Sequence, residues 1–285
     1  MNVTTLTVPD LPIASVFEGI VPAVGRLYVT GGLNELLLRP RVAIVGSRKI
    51  SQYGKVVTAR LARELVQQGI VIVSGLAYGV DATAHRGALE AGGLTIAVLP
   101  SSLDEIYPAA HRNLASAIVE GGGALISEYP KGTPTLKHNF IGRNRIVSGM
   151  SDALLITEAA ENSGTMHTAR FALEQGKDVL AVPGNITSPT SAGTNNLIKS
   201  GAIPATSSQD VLDVLGLTRS TAAARVKGGT THEQTILDLL EDNISDANEL
   251  LVRSNLSMDH FNQALTMMEI TGKVKSAGNN HWTVS

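Results

Sequence analysis

Six short runs of Val, Ile, Leu and Ala, set between helix-length segments, constrain this 285-residue chain more than any other feature. They are Val42 to Val45, Ile70 to Val73, Thr95 to Leu99, Ala124 to Ile126, Ala153 to Thr157 and Asp178 to Val182. A strand that is apolar throughout, with no polar alternation, is buried on both faces. The segments between carry apolar residues at helical spacing, such as Val57, Leu61 and Leu65, then Ala84, Ala88 and Ala91, and they close near Gly69, Gly92 and Gly176. Strands and helices alternating in this way predict a doubly wound α/β core with a mostly parallel sheet covered on both sides.

The pattern predicts four regions. Residues 1–40 carry weak signals and read as a short arm or cap, and 41–217 form the core, closed by a helix from Ser208 to Leu215. Val211, Leu212 and Leu215 on that helix close the core or form a dimer face; helices of this kind usually pack inward. Residues 218–229, rich in Thr, Ala, Arg, Lys and Gly without periodicity, read as a linker. Within 230–285, Ile236, Leu239 and Leu240 mark one helix, Asp246 caps a second, and Ser257 caps a third with Phe261, Leu265 and Met268. A hairpin pattern follows, from Gly272-Lys273-Val274 through a Gly-Asn-Asn turn to His281-Trp282-Thr283-Val284. Three helices and a terminal hairpin predict a small C-terminal winged-helix domain.

Composition removes several classes of function. The absence of cysteine excludes disulfides, thiolate metal sites and cysteine nucleophiles. Hydrophobic content of 43% with a mean hydropathy of +0.12 suits a packed protein, and no apolar run is long enough to span a membrane. With no secretory pattern at the N-terminus, the expectation is a cytoplasmic protein. The net charge of −2 conceals an asymmetry: residues 41–219 carry 16 Lys+Arg against 14 Asp+Glu, a balance of +2, and residues 230–285 carry 3 against 8, a balance of −5. The two parts are therefore expected to meet different partners.

In an open parallel sheet, ligands bind beyond the C-terminal strand ends, near the point where strand order reverses. The first core strand runs into Gly46-Ser47-Arg48 and the second into Ser74-Gly75, each followed by a helix whose free amides and dipole favour phosphate. Arg48 adds a guanidinium that can fork onto two phosphate oxygens, although Gly and Ser also serve simple tight turns. GxGxxG and GxxxxGK[ST] are missing, which argues against NAD and against a Walker ATPase, and no cofactor or metal is expected. From Pro130 to Arg145, Lys131, Lys137, His138, Arg143 and Arg145 gather around Phe140 and Asn144 in a loop leading into a helix. Cations interleaved with an aromatic ring suit single-stranded nucleic acid; the alternative is a solvated loop with Phe140 in the core. Ser163-Gly164-Thr165 after the fifth strand can bind an anion or cap its helix, with Ser163 as N-cap. Pro183-Gly184 reads as a turn. Asp81 and His85 share a helix face, an arrangement more often structural than catalytic here because no GxSxG or HExxH accompanies them. No catalytic residue is expected.

Taken together, Val45-Gly-Ser-Arg48, Ser51-Gln-Tyr-Gly54, Ser74-Gly-Leu-Ala-Tyr-Gly79 with Asp81 and His85, Phe140-Ile-Gly-Arg-Asn-Arg145, Ser163-Gly-Thr165 and Pro183-Gly184 resemble the DNA-processing protein A family (DprA, also called Smf) from about Leu27 to Leu215. The resemblance implies an extended Rossmann-like fold that binds single-stranded DNA without an enzymatic step, forms homodimers and loads the recombinase RecA during natural transformation. It also implies that Gly46, Ser47 and Arg48 hold phosphate and that Lys137 and Phe140 contact the strand. Ile141, where the family usually has proline, Ser101-Ser102, where glycine is common, and His167, in place of an apolar residue, depart from the family pattern. The enzymatic alternative on the same fold is a nucleotide phosphoribohydrolase with a PGGxGTxxE loop, but Ser163-Gly-Thr-Met-His167 lacks the paired glycines and the following glutamate. A winged helix at −5 is a poor duplex binder and is expected to contact protein.

Overall fold

The computed structural model describes residues 3–11, 13–217, 228–241, 244–278 and 280–284. Two compact units divide between residues 219 and 220. Most of the linker expected over 218–229 lies outside the described residues, which include only its Gly228 and Gly229.

The larger unit runs β1 (Thr4–Thr7), β2 (Arg26–Gly31), α1 (Leu33–Leu37), β3 (Arg41–Gly46), α2 (Gln52–Gln67), β4 (Val71–Ser74), α3 (Val80–Glu90), β5 (Thr95–Val98), α4 (Arg112–Glu120) and β6 (Ala124–Ser127). It continues through α5 (Lys137–Gly149), β7 (Ala153–Glu158), α6 (Thr165–Glu174), β8 (Asp178–Ala181), α7 (Ala192–Lys199), β9 (Ile203–Pro204) and α8 (Ser208–Val214). One nine-stranded sheet has the order β1-β2-β6-β5-β4-β3-β7-β8-β9, parallel from β6 to β9. The chain starts its parallel sheet at β3, builds outward to β6, then returns beside β3 with β7 and builds the other way. The order therefore reverses between β3 and β7.

Pleating divides β3 between two cores: Val42 and Ile44 pack with Leu61 and Leu65 of α2 and Ala84 and Ala88 of α3, whereas Ala43 and Val45 pack with Ile146 and Val147 of α5 and Ala169 of α6. Val211 and Leu212 of α8 are buried in the α2–α3 layer, with Leu215 packed against it, so this helix closes the core. Residues 1–40 were expected as an arm or cap; their described strands extend the sheet itself. β2 pairs antiparallel with β6, β1 pairs antiparallel with β2, and Phe17, Ile20 and Leu27 enter the α5–α6 core.

The smaller unit contains α9 (Thr231–Glu241), α10 (Ala247–Ser254), α11 (Met258–Ile270) and an antiparallel hairpin of β10 (Val274–Gly278) and β11 (His281–Val284). Its core is Ile236, Leu237, Leu250, Phe261, Leu265, Met268 and Val274. The Asp246 carboxylate accepts from the Asn248 and Glu249 amides and the Ser257 hydroxyl from the His260 amide, which fixes the starts of α10 and α11. Among the described residues, no helix is long and apolar enough to cross a membrane.

Candidate functional site

A cleft of about 800 Å³ opens where the strand order reverses, over the C-terminal ends of β3 and β7. One wall is the β3 loop, Gly46, Ser47, Arg48 and Lys49; a second is α5, through Phe140, Ile141, Asn144 and Val147; a third is Ala160 to Thr165 with His167 and Thr168 of α6. Phe140, Asn144 and Val147 stand at i, i+4 and i+7, so a single helical face meets the cleft.

The β3 loop is knitted to its neighbours. The Ser47 amide donates to the Glu158 carbonyl (2.7 Å), and the Val80 amide donates to the Ser47 carbonyl (3.1 Å). The Glu158 carboxylate, buried at the end of β7, accepts from the Ser51 amide (3.0 Å) and from the Ser51 hydroxyl, which in turn accepts from the Gly54 amide to cap α2. Gly79 adopts φ +78°, and a Cβ there would lie 2.1 Å from the Ser47 carbonyl oxygen, so only glycine permits this approach of the two loops. From this braced loop the exposed Arg48 side chain reaches across and places its guanidinium carbon 5.1 Å from the centre of the Phe140 ring. A cation over an aromatic face, both open to the same cleft, presents charge to a phosphate and a ring to a base.

Arg143 lies beneath them. Its buried guanidinium donates to the carbonyls of Gly75 and Val98 and, through Nε, to Asn144 Oδ1 (3.1 Å). Burial pulls its pKa down to about 10, against the opposing attraction of Asp81. The group remains cationic near neutrality and adds positive potential under the cleft. Asp81 is pushed above the usual carboxylate range, chiefly by burial and against the pull of Arg143. Its Oδ2 accepts from the Ala77 amide (3.3 Å), which ties the loop after β4 to the first turn of α3.

Ten of the thirteen expected site residues line this cleft: Gly46, Ser47, Arg48, Gly75, Phe140, Arg143, Asn144, Ser163, Gly164 and Thr165. Three do not. Ser74 is fully buried and donates from its hydroxyl to the Ile44 carbonyl (2.6 Å), joining β4 to β3 inside the sheet. Arg145, on another face of α5, is buried in an ion pair with Glu128 (2.8 Å). Lys137 is exposed in the first turn of α5, outside the lining, with His138 beside it and no acidic residue in that turn. Cations at a helix N-terminus oppose the dipole, which favours an anion arriving there. Phe140 is half-buried at the cleft wall, so the alternative that placed it in the core does not hold. Gly164, not Ser163, is the N-cap of α6, while the Ser163 hydroxyl accepts from the Thr165 amide (3.2 Å).

His85 does not pair with Asp81. Its Nδ1 lies 2.7 Å from the Thr95 hydroxyl, which itself donates to the Ile72 carbonyl (2.7 Å), so Nδ1 carries the proton. Nε2 is buried without a partner, and burial, reinforced by His111 and Arg143, lowers the pKa to about 3. This histidine is a neutral core group. Sequence reasoning missed Glu158, whose apolar run gives no hint of a carboxylate turned inward, and Lys49, which directly follows Arg48. Among the described residues, no cluster of three His, Asp or Glu is placed to share a metal ion.

A family model for DNA recombination-mediator protein A matches residues 7–216. The chain belongs to that family. Over 191 residues it is 46% identical to Protein Smf of Escherichia coli, a match covering 67% of this chain and 51% of Smf. Over 187 residues it is 43% identical to the DNA processing protein DprA of Streptococcus pneumoniae, covering 65% of each chain. The first curated relatives are thus matched over about half their length. The crystal structure of DprA from Streptococcus pneumoniae aligns with a TM-score of 0.70 at 39% identity, over 75% of this chain and 74% of that one. DNA processing protein A from Helicobacter pylori, described with its single-stranded DNA binding mode, aligns with a TM-score of 0.68 at 36% identity, over 75% of this chain and 96% of that one. In this member of the family, the Arg48–Phe140 pair at the point of strand reversal is the centre of the candidate site.

Proposed function

We propose that this protein binds single-stranded DNA across the cleft, without sequence preference, and passes the strand to the recombinase RecA during recombination or transformation. The observation that carries the binding is the Arg48 guanidinium held over Phe140 on a loop braced by Glu158 and Gly79. Phosphates meet Arg48, Lys49 and, at the start of α5, Lys137, while a base stacks on the exposed part of the ring. The single-stranded DNA bound by the Helicobacter pylori relative supports this assignment, and the family's description as a recombination mediator supports the hand-over. The binding involves no bond-breaking step. Of the two carboxylates among the cleft's lining residues, Asp81 is buried and accepts from the Ala77 amide (3.3 Å), and Glu161 accepts from the Asn196 side-chain amide (3.4 Å).

We further propose a cytoplasmic homodimer in which residues 230–285 form a winged helix that contacts protein. α11, at the position of a recognition helix, contains no Lys or Arg and carries Asp259 and Glu269, which suits a protein partner better than a duplex. An electrophoretic shift with oligothymidine tests the binding: wild type retards the strand, and Arg48→Ala combined with Lys137→Ala abolishes the shift. An unaffected double variant contradicts the proposal.

A further inference from the structure

The rim of the cleft continues past Phe140 as two more aromatic rings, Tyr78 after β4 and Tyr107 after β5. Both line a shallow hollow of about 30 Å³ that shares Arg48, Phe140 and Arg143 with the main cleft. Tyr107 meets Phe140 edge to face, with ring centres 5.2 Å apart at 79°, and is 45% exposed. Tyr78 is 50% exposed and is held outward by an unusual turn. Leu76, two residues earlier, adopts φ +58°, a region that leucine seldom visits. His111 steadies that turn: its Nδ1–H donates to the Leu76 carbonyl (2.7 Å), and its ring packs against Tyr78 with centres 4.9 Å apart. Backbone strain of this kind persists where the surrounding structure enforces it, and it gathers at binding sites. Here it ends in a half-exposed ring beside a guanidinium.

The geometry points to Tyr78 and Tyr107 as stacking positions for successive bases of the bound strand, in a path leaving the cleft over the ends of β4 and β5. This assignment rests on the single-stranded DNA binding proposed above. The hollow is too small to enclose a base, so a base lies on these rings instead of entering between them. Arg48 lines the same hollow as the two rings, and Lys49 follows it on the wall of the main cleft. Interleaved rings and cations suit a nucleic-acid strand, whose bases all present a π-face, better than they suit a peptide.

The test compares oligothymidine with an abasic deoxyribose-phosphate strand of the same length, using the full chain. Wild type binds oligothymidine more tightly. The Tyr78→Ala/Tyr107→Ala pair loses on the order of 30-fold or more in affinity for oligothymidine and little for the abasic strand, whereas the Tyr78→Phe/Tyr107→Phe pair stays near wild type. An alanine pair that binds both strands like wild type, or loses equally on both, overturns the assignment while leaving the Arg48-centred site standing. Wild type that fails to bind either strand, or an Arg48→Ala variant indifferent to both, removes the underlying site and this path with it. If the alanine pair does not fold by circular dichroism, photo-crosslinking wild type to an oligonucleotide carrying 5-iododeoxyuridine decides: adducts on Tyr78 or Tyr107 support the path, and adducts confined to other residues overturn it.

Discussion

Glu158 shows how one buried side chain can hold a loop at the cleft without lining the cleft itself. Its carboxylate takes both the amide and the hydroxyl of Ser51, and its backbone carbonyl takes the Ser47 amide. Glu158→Ala leaves the Ser51 donors without an acceptor and is expected to destabilise the fold by about 1–3 kcal/mol, read as a lower Tm, with weaker strand binding as the loop relaxes. Glu158→Gln keeps an acceptor oxygen and is expected to lose less of both. His85 makes a prediction about pH. Its folded pKa of about 3 lies below the unfolded value of 6.5, so its contribution is fully present above pH 6.5 and is lost as pH falls toward 3. Between pH 7 and pH 5 this one group should remove about 2 kcal/mol of stability. A His85→Gln variant should show a shallower fall in denaturant stability over that range, and a fall as steep as wild type contradicts the assignment.

At the scale of the element, α5 sorts its residues by direction. Phe140 and Asn144 face the cleft, and Arg145 turns away to Glu128. Arg145→Ala is therefore expected to cost on the order of 3 kcal/mol of stability, by stranding the Glu128 charge, yet to leave the strand affinity of the folded protein unchanged. Gly79→Ala is expected to do the reverse of a neutral loop change: the positive φ and the close approach to Ser47 force the β3 and β4 loops apart, lowering both Tm and strand affinity. The central strands were legible because each is apolar on both faces. The predicted Ala153 to Thr157 becomes Ala153–Glu158, and Val42 to Val45 becomes Arg41–Gly46. β1 and β9 were not legible, because Thr4–Thr7 is a polar, mostly exposed edge strand and β9 has only two residues; β2, an interior strand with Leu27, Val29 and Thr30 buried, was missed. The cleft's loops were legible as Gly and Ser following strands. Ser74 misled because the last residue of a strand is still inside the sheet, and Arg145 misled because a count of cations ignores which way a helix turns each one.

At the scale of the whole molecule, charge is divided between two units that fold around separate cores. The balance of +2 in residues 41–219 gives little net attraction for a polyanion, so affinity has to come from the few cations gathered at the cleft rather than from the surface as a whole. The −5 of residues 230–285 works against binding of DNA to that unit. The measurement that tests this account most directly is titration of a fluorescent oligothymidine at two salt concentrations against wild type and Arg48→Ala. The predicted result is tight wild-type binding that weakens with salt, and a variant that binds more weakly, with a salt slope shallower by about 0.7 for each phosphate it no longer neutralises. An Arg48→Ala titration that overlays wild type at both salt concentrations would contradict a strand site centred on the β3 loop.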